Sequence, residues 1–372
     1  MKNTSKTYRV LALSNNLDEH TGVGRHSWNI IKRLIDNRDV EMRVFVARGS
    51  DKREEEVCLP ESFNLLSLLR AIKCIRRAVK SVDIVHAFDG FPYGVLAYFG
   101  IMGMLDKRLI INGVGTYSVR PLLSPVKGWL LKKAYRRADR ILCISNYTLS
   151  RIKKYIPELS NLSVVHLGVD ANVFTGNQSK KKKNNSPHLL VTGEIKSRKG
   201  QYYTVRAVDI LKKKYPDIKL TIVGYVGSGA YYKKIQDYIT ERDLSDNIRF
   251  LRGITDEELA KEYQNADIYV MPSLSRGENF EGFGLVYLEA GLYGVPSIGS
   301  LDSGAEDAII DGKTGYLIEQ ESAEEIARAV EKIFSRDDYD AMSQQARLFA
   351  QKFTWDKTVA GCIQAYENIN SK

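Results

Sequence analysis

Between Glu278 and Ala290 the chain reads Glu-Asn-Phe-Glu-Gly-Phe-Gly-Leu-Val-Tyr-Leu-Glu-Ala, which sets two carboxylates, Glu281 and Glu289, eight positions apart with glycines between them. Gly282 and Gly284 let a backbone approach a ligand with no Cβ in the way, and an apolar helix opening near Leu285 would present free N–H groups to an anion. Glu281 would stand at the mouth of that helix. Glu289 would lie one to two turns inside, at a rise of ~1.5 Å per residue. Two acids at different depths along one helix can accept hydrogen bonds from hydroxyls on two rings of one ligand, and the anion site between them suggests a sugar nucleotide.

The flanking segments place this site. Asp267–Met271 reads as a buried strand ending in a Pro-Ser turn, and Ser297–Ser300 reads as the next strand. Glu281 therefore follows the carboxyl end of a strand, where open α/β sheets bind ligands. Neighbouring strand ends carry further candidates. Gly193-Glu-Ile-Lys-Ser-Arg-Lys-Gly200 brings Arg198 and Lys199 to the same edge, where they would neutralise a diphosphate; a loop holding Gly224 and another holding Glu306 follow two more strands. Cations fixed in advance around a leaving group that gains charge lower its barrier, and one such donor is worth roughly 3 kcal/mol.

In the first half, Thr21-Gly22-Val23-Gly24-Arg25 follows a strand and opens a helix. The third position of a dinucleotide fingerprint is Ser27, and the strand ending at Ala47 is followed by no acid for a ribose, so a nicotinamide enzyme is disfavoured. Gly22 and Gly24 are expected to approach the donor phosphates. His86, alone at a strand end, is expected to be structural.

Strands and helices alternate throughout, which predicts parallel sheets with crossover helices. The first set of strands is expected at Tyr8–Leu13, Arg43–Ala47, Asp83–Ala87, Leu109–Asn112, Arg140–Ile144 and Ser163–Leu167; the second begins at His188–Thr192 and continues at Lys219–Val223 and Asn247–Leu251. The polar, lysine-rich stretch from Thr175 to Pro187 separates them as a linker or exposed loop. The expected architecture is two doubly wound α/β domains, 1–174 and 188–352, joined by 175–187 and followed by a last helix within 353–372 that crosses back to the first.

The net charge of +10 is concentrated: residues 1–170 hold 28 Lys+Arg against 16 Asp+Glu, and the remainder 27 against 29. Leu65–Val82 and Val126–Arg140 read as amphipathic basic helices, fit either to dock on an anionic bilayer or to stand as solvated faces. No nucleic-acid-binding module accompanies the charge. The amino end lacks the apolar core of a signal peptide, and the four scattered cysteines form no C-x-x-C pair, so a cytoplasmic protein with reduced thiols and no metal site is expected, peripheral on the inner membrane face if the basic helices dock there.

Taken together, Thr21–Arg25, Ala138–Ser145, His166–Asp170, Lys199-Gly200, Asp267–Ser273, the E-x7-E pair Glu281 and Glu289, and Asp311–Gly315 resemble the retaining glycosyltransferases of family 4 over nearly the whole chain. The resemblance implies the GT-B fold, two Rossmann-like domains with the active site in the cleft between them. It implies that Glu289 binds the ribose, that Glu281 contacts the donor sugar, that Phe283, Gly284 and Leu285 present backbone N–H groups, and that Lys199 contacts the diphosphate, with neither metal nor cofactor. Two positions depart from the family pattern. Glu194 stands where an arginine is usual, leaving Arg198 or Lys196 to replace it, and Val114 stands where a histidine is usual, leaving Asn112, Thr116 or Tyr117 for acceptor contact.

The expected activity is transfer of a hexose from a nucleoside-diphosphate sugar to a hydroxyl of a glycan or lipid-linked acceptor. The rivals are a sugar-nucleotide 2-epimerase or a phosphorylase of the same fold, and a non-catalytic nucleotide-sugar-binding partner.

Overall fold

The computed structural model describes residues 7–370 apart from His20, Asp51, Arg53, Glu54, Ser62, Phe63 and 171–182. The chain forms two compact units, Met1–Gly168 with Trp355–Lys372, and Val169–Thr354.

The first unit is built on a wholly parallel sheet of β1 (Tyr8–Ser14), β2 (Val40–Val46), β3 (Glu55–Val57), β4 (Ile84–Ala87), β5 (Arg108–Gly113), β6 (Arg140–Cys143) and β7 (Leu162–Val164), in the order β3-β2-β1-β4-β5-β6-β7. Its central strands are apolar on both faces, as a sheet covered by helices on both sides requires: Val10, Leu11, Ala12 and Leu13 are fully buried. The short strand β3 was not foreseen, because Glu55-Glu56-Val57 has the charge of a protected edge and too little apolar pattern to register. The strand expected through Leu167 stops at Val164.

The helix Gly22–Ile35 follows β1 as expected, with Thr21 as its cap accepting from the Gly24 amide at 3.0 Å. A Cβ on Gly24 would fall 2.2 Å from both Asn16 Oδ1 and the Asp18 carbonyl. That glycine is therefore needed to close its own loop, whatever ligand it also meets. The last helix, Trp355–Asn370, belongs to this unit, where Thr358 Oγ1 donates to the His166 carbonyl at 2.8 Å.

The second unit carries β8 (His188–Thr192), β9 (Lys219–Val223), β10 (Ile248–Leu251), β11 (Ile268–Val270), β12 (Ser297–Ser300) and β13 (Gly315–Ile318), all parallel, in the order β10-β9-β8-β11-β12-β13. The unforeseen β13 begins at Gly315, the last residue of the Asp311–Gly315 motif. Of the expected linker, 175–182 fall outside the described residues, and 183–187 are docked on the unit. There Lys183 Nζ donates to the Phe334 carbonyl at 2.8 Å, and Asn184 bonds both carboxylate oxygens of Asp267 at 3.0 and 2.9 Å.

Both sheets reverse their strand order once: between β1 and β4 in the first, and between β8 and β11 in the second. At such a point the loops leaving adjacent strands diverge to opposite faces and open a crevice beyond the strand ends.

Candidate active site

Three loops meet at the reversal point of the second unit. The loop after β8 turns through Ser197–Lys199 into Gly200, which is left-handed (φ 73°) and caps the helix Gln201–Lys212. A Cβ there would lie 2.0 Å from the Pro272 carbonyl, and the Leu274 amide donates to the Arg198 carbonyl at 2.7 Å, so this loop is pressed onto the one leaving β11. The loop after β12 closes the set, with the Gly304 amide donating to the Glu281 carbonyl at 2.8 Å.

Into this frame project Lys199, Arg198 and Glu281. Lys199 Nζ lies 2.6 Å and Arg198 Nη1 3.2 Å from Glu281 Oε2, and Ser273 Oγ is 3.4 Å from the same oxygen. Burial alone would raise the Glu281 carboxyl, but the charges and hydrogen bonds of Lys199 and Arg198 hold it down at about 2. Burial lowers the Lys199 ammonium, with Glu281 opposing that shift. Two cations against one carboxylate leave the cluster net positive, which attracts a further anion.

The helix Leu285–Leu292 opens four residues after Glu281, with left-handed Gly284 (φ 85°) as its cap and Tyr287 packed so closely that a Cβ on Gly284 would strike its ring. The Tyr287 amide donates to the Gly284 carbonyl at 3.0 Å, while those of Leu285 and Val286 precede the first acceptor the helix offers. Phe283 is buried and packs against Phe353, its ring centroid 5.9 Å away. Glu289, one turn inside, is 5% exposed and accepts from the Tyr263 hydroxyl at 3.2 Å. Tyr263 stacks on Tyr293 at 5.2 Å, and Thr192 Oγ1, at the end of β8, lies 3.0 Å from the Tyr269 hydroxyl and 3.4 Å from that of Tyr263. Burial pushes both tyrosine hydroxyls up, so they remain donors at neutral pH. Tyr263, Tyr269 and Thr192 escaped sequence reasoning because a tyrosine in a helix or buried strand reads as core.

The other expected residues divide. Lys196 is ion-paired with Glu194, whose side chain lies against Gly227, so Arg198 is the cation that turns toward Glu281. Gly193 and Gly224 pack on each other: a Cβ on Gly224 would sit 2.0 Å from the Gly193 carbonyl. Glu306 is exposed in the short helix Ala305–Ala308, its Oε1 accepting from the Ser303 amide at 3.4 Å.

In the first unit, Asn112 is not available as an acceptor contact. It is 3% exposed and its Oδ1 lies 2.8 Å from His86 Nε2, while His86 Nδ1 lies 2.8 Å from the Tyr366 hydroxyl. His86 is thereby structural, held neutral by burial, which lowers it to about 4. Thr116 and exposed Tyr117 begin the short helix Thr116–Val119, and Val114 donates its amide to Ser118 Oγ. Among the described residues, no group of three or more His, Cys, Asp or Glu side chains is gathered to hold a metal ion.

This architecture recurs in solved structures. Anabaena HepE, crystallised in complex with UDP, superposes with a TM-score of 0.83 at 17% identity, covering 97% of this chain and all of that one. Two parallel α/β units of this arrangement define the GT-B class of glycosyltransferases.

Residues 20–173 match the model of Glycosyltransferase Family 4, and residues 174–349 that of Glycosyl transferases group 1; the chain belongs to this family of hexosyltransferases. A GDP-mannose-dependent alpha-(1-6)-phosphatidylinositol monomannoside mannosyltransferase of Mycolicibacterium smegmatis is 29% identical over 258 residues, 66% of this chain and 67% of that protein. A D-inositol 3-phosphate glycosyltransferase of Paenarthrobacter aurescens is 34% identical over 231 residues, 59% of this chain and little more than half (55%) of that protein.

Proposed function

We propose that this enzyme moves a hexose from a nucleoside-diphosphate sugar to a hydroxyl of a glycan or lipid-linked acceptor, with retention and without a metal. The observation that carries the reading is the convergence of Lys199 and Arg198 on Glu281, four residues before a helix N-terminus at the reversal point of its sheet. A diphosphate arriving there would share the two cations and the first helical amides, leaving Glu281 to accept hydroxyls of the donor sugar. Glu289, oriented by Tyr263, would take the ribose hydroxyls.

As the bond from the sugar's anomeric carbon to the phosphate oxygen breaks, charge builds on the leaving diphosphate and is stabilised by Lys199, Arg198 and the amides. The acceptor oxygen bonds to the same face of that carbon, and its proton passes to the leaving phosphate oxygen. No side chain need act as a base.

The relatives' names support transfer over epimerisation or mere binding, and both involve inositol-containing compounds. Exposed Leu65, Leu66 and Leu69 beside Arg70 and Lys73, and Trp129 and Val126 beside Lys127 and Lys133, support docking on an anionic bilayer. The helices that carry them, Leu65–Ala78 and Pro125–Arg137, both pack on Val95–Gly100. Part of the basic excess has other work: Arg76 bonds the Phe99 and Met102 carbonyls, and Arg136 pairs with Glu158.

The test is incubation with UDP-, GDP- and ADP-sugars, inositol-type acceptors and a membrane extract, with and without EDTA, reading nucleotide release and anomeric configuration by NMR. Glu281→Ala should abolish transfer, and Glu289→Ala should weaken nucleotide binding by on the order of tenfold or more, the worth of a charge-assisted hydrogen bond. Unchanged kinetics in both variants would remove the site assignment; an inverted product or loss of activity in EDTA would overturn the mechanism.

A further inference from the structure

The first unit has its own reversal point, between β1 and β4, and one ionisable side chain there is not used by the proposed chemistry. Asp89 follows β4 by two residues and caps the turn Gly90–Gly94, its Oδ1 accepting from the Tyr93 amide at 3.2 Å. Only 8% of the residue is exposed. Among the described residues no Lys, Arg or His pairs with it, and burial raises its carboxyl to about 7, opposed only by the Tyr93 amide.

Aromatic side chains surround its turn, and Lys127 Nζ lies 5.7 Å from the ring centre of Phe91 within it. Phe88, the preceding residue, stacks on His86 at 4.6 Å and lies 5.9 Å from the ring of His26, and burial keeps both histidines uncharged at neutral pH. Tyr93 reaches across to the loop after β1, its hydroxyl 3.1 Å from Asn15 Oδ1. On the other side Gly90 is wedged against the Tyr135 hydroxyl and Ser118, and that hydroxyl is already committed to the Ser118 carbonyl at 2.8 Å. Ser118 belongs to the helix that begins with Thr116 and Tyr117, so Asp89 adjoins the segment expected to meet the acceptor.

We propose that Asp89 is an acceptor-binding residue, its carboxyl holding a ring hydroxyl of a polyol or sugar acceptor in the crevice between β1 and β4. The inference rests on the transfer reading above. A carboxyl without a cation repels phosphate and suits a hydroxyl, which can donate to the ionised form and accept from the protonated one. Burying a carboxyl without a counter-charge is costly to the fold, and a ligand hydroxyl would add to the bond that the Tyr93 amide already gives it.

The test uses the full chain with the donor that wild type accepts and three acceptor probes: myo-inositol, methyl α-D-mannopyranoside, and phosphatidylinositol in vesicles. Asp89→Asn keeps an oxygen for the Tyr93 amide and Asp89→Ala does not. Both should raise the KM of the working acceptor on the order of 30-fold, as expected for one hydrogen bond to a charged group, while UDP or GDP affinity by calorimetry stays at the wild-type value. Acceptor KM unchanged in Asp89→Asn would overturn the assignment, as would a fall in Tm with acceptor and nucleotide affinities lost in equal measure, the mark of a structural cap. Wild type that binds nucleotide yet glycosylates none of the probes, nor anything in a membrane extract, would instead sink the transfer reading and this inference with it.

Discussion

Replacing Lys199 by methionine removes the closest positive charge from Glu281 while keeping the length of the side chain. The ammonium is 2.6 Å from the carboxylate, and both side chains are about 15% exposed, so solvent screens the pair only weakly. The fall of the Glu281 pKa from 4.5 to about 2 corresponds to ~3 kcal/mol at ~1.4 kcal/mol per unit. Two effects reduce that figure. Arg198 remains at 3.2 Å, and Lys199 itself is lowered by burial, so holding its charge in the fold has a cost that the variant escapes. The expected loss at neutral pH is therefore ~2 kcal/mol, or about 5 °C in the Tm of a unit of this size.

The sign of the pH dependence discriminates the cause. A carboxyl whose pKa is depressed on folding contributes stability that is complete above its unfolded value and is lost as pH falls through the folded one. The gap between wild type and Lys199→Met should thus be widest at neutral pH and narrow as pH falls from 4.5 toward 2. Thermal or urea unfolding of the full chain, following the transition of the second unit across that range, measures it. A gap of the same size at both ends would show that Lys199 acts by packing, and no gap at all would refute the account of how the loops are held.

Three further expectations follow from the same geometry. Gly224→Ala places a methyl 2.0 Å from the Gly193 carbonyl at φ 155°, backbone against backbone, and should lower the stability of the second unit by ~2–3 kcal/mol; an unchanged Tm would contradict it. The first unit should lose up to ~3 kcal/mol as pH falls from 6.5 to about 4, because the unfolded chain protonates His86 before the fold does; His26, lowered to about 3, adds a slope of the same sign, and His86→Gln should flatten the profile. Serine at Leu65, Leu66 and Leu69 should cut binding to vesicles rich in phosphatidylglycerol by more than about tenfold, as should high salt for wild type, in a sedimentation assay; equal binding by the variant would show that those exposed leucines do not enter the bilayer.

The alternation of strands and helices was legible because parallel strands buried on both faces are short apolar runs punctuated by glycine and polar turns. What failed to register was whatever lacks that signature. Charged β3 is one case, and the four-residue β13, which begins at the last glycine of Gly-Lys-Thr-Gly, is another. Glu281, Arg198 and Lys199 stood out in the sequence because glycine spacing marks strand-to-helix turns, and the structure brings the three side chains together. Their pairing was not: nothing in the order of residues says that Glu281, 82 positions beyond Lys199, meets its ammonium. Asn112 misled for the converse reason, since a polar residue at a strand end looks available until the histidine of the adjacent strand is seen to claim it.

Charge counted by halves pointed the wrong way about chemistry. The first half of the chain holds the basic excess, yet at the first sheet's reversal point sits a buried acid with which no Lys, Arg or His pairs among the described residues. The second half is slightly acidic overall, yet its reversal point gathers two cations around one carboxylate beside a helix N-terminus. The same topological position is therefore furnished with opposite electrostatics: net positive, suited to a diphosphate, in one unit, and uncharged or weakly negative, suited to a hydroxyl, in the other. A ligand's charge is set against the few groups within hydrogen-bonding reach, because water and salt screen the rest over ~8 Å at physiological ionic strength. Exchanging those local charges, with Asp89→Lys in the first unit and Lys199→Glu in the second, should therefore do far more damage to binding than their small effect on the +10 net charge would suggest.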